Sequence, residues 1–462
     1  MMRPTLFALG AVVCSAAPAQ VQDTTTSYEY NTAGQVTKVT HPLNRVTSND
    51  YDILGRKSKT TDAKMGVTQF VYDALDRLTR VTDARSLTTA YTIDGHGNLS
   101  QTLSPDTGST VNTYDNAGNI KTTTDAKNQT TTFQYDALNR MTLVSYADGS
   151  SVAYTYDQGD FAIGRLSKIT DVSGTIEYQY DRRGRVVGER RTMGGTSYTT
   201  SYHYNEKGAL VAQTYPSGRT VTYTHDDVGR IREIRTTGNS ASQLLVSQAE
   251  YQPFGPLKSL IFGNGQAYTR TYDLDGRLTS YTLNGKVHTI AYDAASRITS
   301  ITDAANAASN TTYGYDAIDR LTSVVTPTAG LNYAYDAVGN RTQKLNGAAA
   351  TNYGYAPASN RLTQVGAQAI ASDANGSITN KGSASFNYDA RGRMVSANTA
   401  IGLVQYTINS LGQRVRKVTP TATTVFHYDL AGKLIAEATT TAGTTTVQEH
   451  IYLGDLPVAV IK

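Results

Sequence analysis

Tyr72-Asp73-Ala74-Leu75-Asp76-Arg77-Leu78-Thr79 returns as Tyr135-Asp136-Ala137-Leu138-Asn139-Arg140-Met141-Thr142 and again as Tyr315-Asp316-Ala317-Ile318-Asp319-Arg320-Leu321-Thr322. A recurring segment is the first thing to follow, because a repeat decides the architecture. Marking the residue before the Asp gives Tyr30, Tyr51, Tyr72, Ile93, Tyr114, Tyr135 and Tyr156, each 21 residues after the last. The series continues less regularly to Tyr428, with steps between 16 and 26, for twenty units in all.

The fourth residue after the aromatic is Gly in most units, as at Gly34, Gly55, Gly118 and Gly276, and Asp, Asn or Ser in the others. Gly enters the left-handed backbone region freely, and Asp and Asn tolerate it better than other residues. An Asp entering a short loop that closes on such a residue predicts a hairpin turn. Before the turn, aromatics alternate with other residues, as in Phe70-Val71-Tyr72 and Phe133-Gln134-Tyr135; after it come pairs such as Leu78-Thr79. That pattern predicts half-buried strands. Leu78 and Val81 are three apart, so a flat strand cannot place both on one face, and a bulge or bend is expected between them. Further turn signals at Thr82-Asp83-Ala84, Thr124-Asp125-Ala126, Thr170-Asp171 and Thr302-Asp303-Ala304 make each unit strand, turn, strand, turn. No helical apolar stripe persists beyond residue 30.

The chain has 462 residues, 32 Tyr against 8 Phe and no Trp. Tyr suits a thin sheet, since its ring buries while its hydroxyl finds a partner. A net charge of +4 on 42 basic and 38 acidic side chains is too balanced to point to nucleic acid. At the start, Met1-Met2-Arg3, the apolar run Leu6 to Cys14 and Ala17-Pro18-Ala19 read as a secretory signal over residues 1–19, cleaved after Ala19. Removing it removes the single cysteine. No stretch approaches the roughly 20 apolar residues of a membrane helix.

These residues resemble the YD repeats of the RHS family, which includes bacterial wall-associated and polymorphic toxins, shell components of insecticidal toxin complexes, and animal teneurins. Tyr272-Asp273-Leu274-Asp275-Gly276-Arg277-Leu278 and Tyr51-Asp52-Ile53-Leu54-Gly55-Arg56 match the family signature closely. The resemblance implies an all-β fold over residues 20–462: about twenty YD β-hairpins in a long curled antiparallel ribbon, a partial YD/RHS shell. The structural repeat positions carried over are Tyr51, Asp52, Gly55 and Arg56; Tyr72, Asp73 and Arg77; Tyr114, Asp115 and Gly118; Tyr135 and Asp136; Tyr272, Asp273, Gly276 and Arg277; and Tyr388, Asp389, Gly392 and Arg393. Irregular stretches are expected near 235–254 and 364–386. The segment His450–Val460 resembles the one that precedes the family's core-associated region, and neither that region nor a toxin region is expected within this sequence. Twenty two-stranded units at ~4.8 Å per strand predict a ribbon of roughly 190 Å, and one full circuit of it a ring about 60 Å across.

The chemistry-bearing residue types do not converge. The seven histidines are scattered. Asp273-Leu274-Asp275-Gly276 begins like a calcium loop but lacks the later bidentate Glu, so it reads as a repeat turn. No nucleophile elbow, phosphate loop or HExxH motif occurs. The expectation is no enzyme, no metal and no cofactor. The resemblance implies a secreted, non-catalytic scaffold of a polymorphic-toxin or wall-associated protein, which in complete form encloses or delivers a C-terminal effector. Its partners would be that cargo or the remaining shell segments. The alternative is a cell-surface carbohydrate-binding or adhesion module, presenting Tyr and the Arg after each turn to a glycan.

Overall fold

The computed structural model describes residues 24–238, 242–253 and 255–462. The leader read over residues 1–19 lies outside them. The described chain is almost wholly β: 42 strands, from β1 (Ser27–Tyr30) to β42 (Leu456–Ile461), and two short 3-10 turns. Each strand pairs antiparallel with the next in sequence, as β5 (Val67–Tyr72) does with β6 (Leu78–Thr82), and β6 with β7 (Thr88–Ile93). The result is one continuous meander of hairpins.

Thr and β-branched or aromatic residues favour this pleated surface. In β19 (Thr220–His225), Val221 and Tyr223 are buried while the alternate Thr residues lie on the other face. The expected bulge is present. Tyr72 faces Leu78 while Val71 faces Arg80, so Thr79 is the extra residue. The same shift recurs beside Tyr51, Tyr135, Tyr272 and Tyr388. A bulge adds twist to every hairpin, which is what coils a long open ribbon.

Coiling brings distant hairpins edge to edge. Arg45 Nη1 donates to Asp319 Oδ1 at 2.5 Å, and Arg85 Nη1 to Ser359 O and Asn360 Oδ1 at 3.1 and 2.8 Å. The Asn360 N–H donates to Asp106 Oδ1 at 2.6 Å, Asn375 Nδ2 to Asp125 Oδ2 at 2.6 Å, and the Ser410 N–H to Asp171 Oδ2. The Tyr215 hydroxyl donates to His450 O at 3.0 Å. These partners lie 235 to 275 residues apart. The connection before β3 (Arg45–Tyr51) meets the turn after β27 (Thr311–Tyr315), and that before β9 (Gly108–Tyr114) meets the turn after β31 (Ala349–Tyr355). One circuit therefore takes 22 to 24 strands, and the ribbon makes a little under two circuits.

That geometry corrects the expected ring. At ~4.8 Å per strand, a circuit of 22 to 24 strands is roughly 35 Å across rather than 60 Å, and its two bands stack along a seam. The tighter ring follows from the bulge in every hairpin, which the flat-ribbon estimate omitted. The wall is thin. The chain exposes 26785 Å2, against about 17,000 Å2 for a compact monomer of this mass.

Ribbon strands run through both irregular stretches. β20 (Ile231–Thr237) and β21 (Gln243–Tyr251) pair with a shift at Ile234/Arg235, and Leu245, Val246 and Ala249 lie buried. Across 364–386 the strands shorten to four or five residues, β32 (Leu362–Val365) to β35 (Ala384–Tyr388), and two-residue turns join β32 to β33 (Gln368–Ser372) and β34 (Ile378–Lys381) to β35. The stretch ending at Val460 folds as one more hairpin, β41 (Thr444–Leu453) with β42, which makes 21 hairpins rather than 20. It closes the largest core, where Ile435, Ile451 and Leu453 pack with Tyr215, Val221, Ile234, Val246 and Leu260. Each such aliphatic contributes about 1.5–3 kcal/mol by burial. A second cluster, Val144, Val152, Ile169 and Ile176, stiffens the first circuit.

Candidate functional site

Most hairpins present variants of one device along one rim. In the turn after Tyr51, the Asp52 N–H donates to Arg56 O, and the Gly55 N–H to Asp52 O. Asp52 Oδ1 accepts the N–H groups of Leu54 and Arg56, at 3.0 and 2.9 Å, while Oδ2 accepts Arg56 Nε at 2.8 Å. The Arg56 side chain, then its backbone N–H, holds the Asp52 carboxyl below the usual carboxylate range. Gly55 closes the turn at φ +81°, and Asp76, Asn139, Ser296 and Asp319 do so at +58° to +68°. Gly255 does not enter the left-handed region, since the following Pro256 restricts it.

The guanidinium has a second task. Arg56 Nη1 donates to Asp73 O of the next turn at 2.9 Å, and its plane lies 4.9 Å from the Tyr72 ring centroid. Arg77 repeats this toward Asp94 O, and Arg320 toward Asp336 O. The Tyr hydroxyl reaches backward. Tyr72 donates to Lys57 O at 3.0 Å, Tyr114 to Leu99 O, Tyr135 to Ile120 O, Tyr272 to Leu257 O and Tyr388 to Ile378 O. Each accepting carbonyl lies where the bulge begins. Phe has no hydroxyl for this bond, which accounts for the ratio of Tyr to Phe.

The repeat positions read from the sequence thus form one ladder along the Tyr-Asp rim. Asp115 uses Asn119 in place of Arg, with Nδ2 donating to Oδ2 at 3.1 Å. Asp136 takes Arg140 Nε at 2.7 Å, and Asp273 takes Arg277 Nε at 2.7 Å. At Asp389 the carboxylate takes Arg391, and Arg393 reaches Asn409 O and Ser410 O instead. Gly118, Gly276 and Gly392 all close their turns at positive φ. These arginines direct Nε and an Nη group to the turns, as Arg77 does to Asp73 Oδ2 and Asp94 O.

The connecting rim carries seam residues that sequence reasoning read only as turns. Asp125 Oδ1 accepts the N–H groups of Lys127 and Gln129 within its own turn, while Oδ2 accepts Asn375 one circuit later. Asp171 divides its oxygens the same way between Ser173 and Ser410. The legible signal was positional. Asp recurs in the connecting turns at 62, 83, 125 and 171, whereas the second circuit uses tight turns such as Asn284-Gly285 and Gly347-Ala348. Among the described residues, no group of three or more His, Cys, Asp or Glu is placed to hold a metal ion.

The teneurin YD-shell family profile matches residues 150–252 and 290–452, more than half of the chain, and the RHS repeat profile matches 72–109 and 114–151. The chain belongs to the teneurin YD-shell family. Solved YD-shell relatives share its fold. The Tc holotoxin pore of Photorhabdus luminescens superposes with a TM-score of 0.79 at 17% identity, over 92% of this chain and 27% of that one. TcdB2-TccC3 without its hypervariable C-terminal region gives 0.73 at 17% identity, over 92% and 29%. TcdB2-TccC3 gives 0.68 at 17% identity, over 93% of this chain and 30% of that one. The chain thus spans less than a third of the length of these structures. No curated relative matches it.

Proposed function

We propose that this YD-shell chain is a non-catalytic, secreted wall segment of a toxin-type container, whose complete form encloses or delivers a C-terminal effector. The observation that carries this reading is the seam. A ribbon that stacks its second circuit on its first, through side chains 235 to 275 residues apart, makes a wall with an inside. The ladder supports it from the other direction, because its polar groups are used in holding hairpins together.

The free part of the Tyr-Asp rim supports a partner built from further shell. Leu54, Leu75 and Leu138, at turn tips of the first circuit, are exposed at 66%, 70% and 71%, whereas the corresponding Ile318 and Val338 of the second circuit are half-buried near the seam. That rim fits another ribbon presenting Asp-bearing connecting turns. The free connecting rim of the second circuit consists mainly of short turns without those carboxylates, Asp303 excepted. Secretion rests on the leader read over residues 1–19. Among the described residues no helix is long and apolar enough to cross a membrane. The alternative, a carbohydrate-binding or adhesion module, finds the ladder Arg and Tyr groups already engaged.

Native proteolysis tests the container. The chain is expressed together with the polypeptide encoded downstream of it in its source locus, beside the seam variant Arg85→Ala. Survival of the downstream polypeptide, with faster loss in the variant, is expected. Equal digestion of that polypeptide with and without the chain overturns the proposal.

A further inference from the structure

The strands of the later part of the ribbon carry charge of almost one sign. From β23 (Ala267–Tyr272) to β38 (Arg414–Val418), the strand residues include eight Lys or Arg and one acid, Asp303. Residues 267–418 as a whole hold fourteen basic and nine acidic side chains, so the +4 of the chain resides here. The other eight acids stand in turns and are engaged there, as Asp273 is by Arg277, Asp293 by Arg297 and Asp316 by Arg320.

Register places seven of the eight strand cations on one face. Arg270 stands opposite Tyr281, Lys286 opposite Leu283, Lys381 opposite Ile370 and Lys417 opposite Tyr406. Lys344 stands opposite Tyr333, while Arg341 and Arg414 occupy the position that Leu78 holds in its hairpin. This is the face of the repeat tyrosines, and only Arg416 lies on the other. The tyrosine face is the inside of the coil. Phe70 and Tyr72 are half-buried on it, while Val71, Leu103 and Val111 stand exposed on the opposite face. A curled single sheet crowds the side chains of its concave face and splays those of its convex face.

The seven cations therefore face the enclosed space, and among the described residues none of them has a carboxylate partner. Arg341 lies 4.4 Å from the Tyr353 ring centroid, Arg414 lies 4.6 Å from that of Phe426, and Arg270 Nε donates to the Tyr268 hydroxyl at 2.9 Å. Lys286, Lys381 and Arg414 are exposed, and Lys344 and Lys417 are half-buried. The outer face of the first circuit pairs its charges instead, Lys38 with Glu29, Lys59 with Asp50 and Arg190 with Glu177. Beyond β38 the inner face carries one acid, Glu437, opposite Phe426.

A concave wall with unbalanced positive charge concentrates anions. Nucleic acid also needs free ring faces for its bases, and guanidiniums already lie over Tyr268, Tyr353 and Phe426. The cations recur every two to five strands, roughly 10–24 Å apart, far wider than the phosphate spacing of a nucleic-acid strand. Carboxylates scattered along a polypeptide match that spacing. We propose that this inner arc binds an acidic polypeptide segment, whose Asp and Glu side chains pair with Lys286, Lys344, Lys381, Arg414 and Lys417. The inference rests on the container reading and gives the enclosed effector a charge.

The test uses the full chain alone, with a peptide of repeating Glu-Gly-Ser that carries a neutral fluorophore. Fluorescence anisotropy should show binding at low salt that weakens as salt rises, and a Lys-Gly-Ser peptide should not bind. Lys344→Gln with Lys417→Gln should weaken the Glu peptide about fivefold, as the loss of two exposed ion pairs does. Arg80→Gln with Arg416→Gln removes the same charge from the outer face and should leave binding unchanged. Three results overturn the proposal: the Glu peptide does not bind at low salt, both double variants weaken it equally, or an oligothymidylate of equal charge binds more tightly. The peptide assay contains no downstream polypeptide, so its failure leaves the protection of that polypeptide, and with it the container, to stand or fall separately.

Discussion

The hydroxyl of Tyr315 donates to the carbonyl oxygen of Ile298 across 2.8 Å, joining the entry of one hairpin turn to the bulge that follows the previous one. Replacing Tyr315 by Phe keeps the ring under Arg297, whose guanidinium lies 4.9 Å from the ring centroid, and removes only the donor. A loss of about 1 kcal/mol in local stability is expected, because a buried carbonyl loses its partner. Amide exchange around Ile298 and Tyr315 measures it, and unchanged protection would remove the hydroxyl from the account.

Gly276 sits at φ +78° with nothing within 4 Å of an added Cβ, so backbone strain alone sets the cost of a substitution. Gly276→Val should destabilise its hairpin by about 1–2 kcal/mol and open it to protease. Gly276→Asn should be milder, since Asn139 already occupies the equivalent position at φ 58°. Equal protease resistance in both variants would count against the turn assignment.

Arg85 joins the circuits through Ser359, Asn360 and Ala356, and it belongs to a connecting turn that Asp83 holds. Arg85→Ala should therefore loosen residues 356–361 while strands β6 and β7 keep their protection. Hydrogen exchange resolved by peptide distinguishes this from general unfolding. A uniform loss would mean that the seam does not act separately from the hairpins.

His427 is buried beside Tyr198, with ring centroids 4.6 Å apart, and near the buried pair Arg191–Glu189. Burial, then the Arg191 charge, pushes its pKa from 6.5 down to about 4. Above pH 6.5 the imidazole is neutral folded or unfolded, and stability does not vary through it. As pH falls from 6.5 toward 4 the unfolded state binds a proton that the folded state refuses, so stability declines, by up to roughly 3 kcal/mol. The turn carboxylates, held below 3.8 as Asp52 is, add their loss only at lower pH. Denaturant midpoints at pH 7 and pH 5 should converge in His427→Phe; an unchanged difference would place the sensitivity elsewhere.

The local device was legible because each part has a local cause. The left-handed residue at Gly276, the acceptor at Asp273 and the extra residue at Thr79 each answer to backbone geometry within a few positions. The seam was not legible. Asp125 and Asn375 are 250 residues apart, and an Asp in a turn looks the same whether its second oxygen meets water or another circuit. The ring size failed for a related reason, since twist accumulates from bulges whose sum no single unit displays.

The seam also makes the ribbon a counting device. Rung lengths vary along the chain, yet the mating of rims holds at 22 to 24 strands, so what the circuit keeps is the count of strands rather than the number of residues. Lengthening a strand changes the local width of the wall and leaves the phase intact. Excising one whole hairpin between Asp171 and Asn360 would advance every later turn by one tooth against the first circuit. Arg85 would then face a different rung from Asn360, and Asp171 a different rung from Ser410. The wall can therefore grow or shrink freely only at its ends, where no tooth is yet engaged.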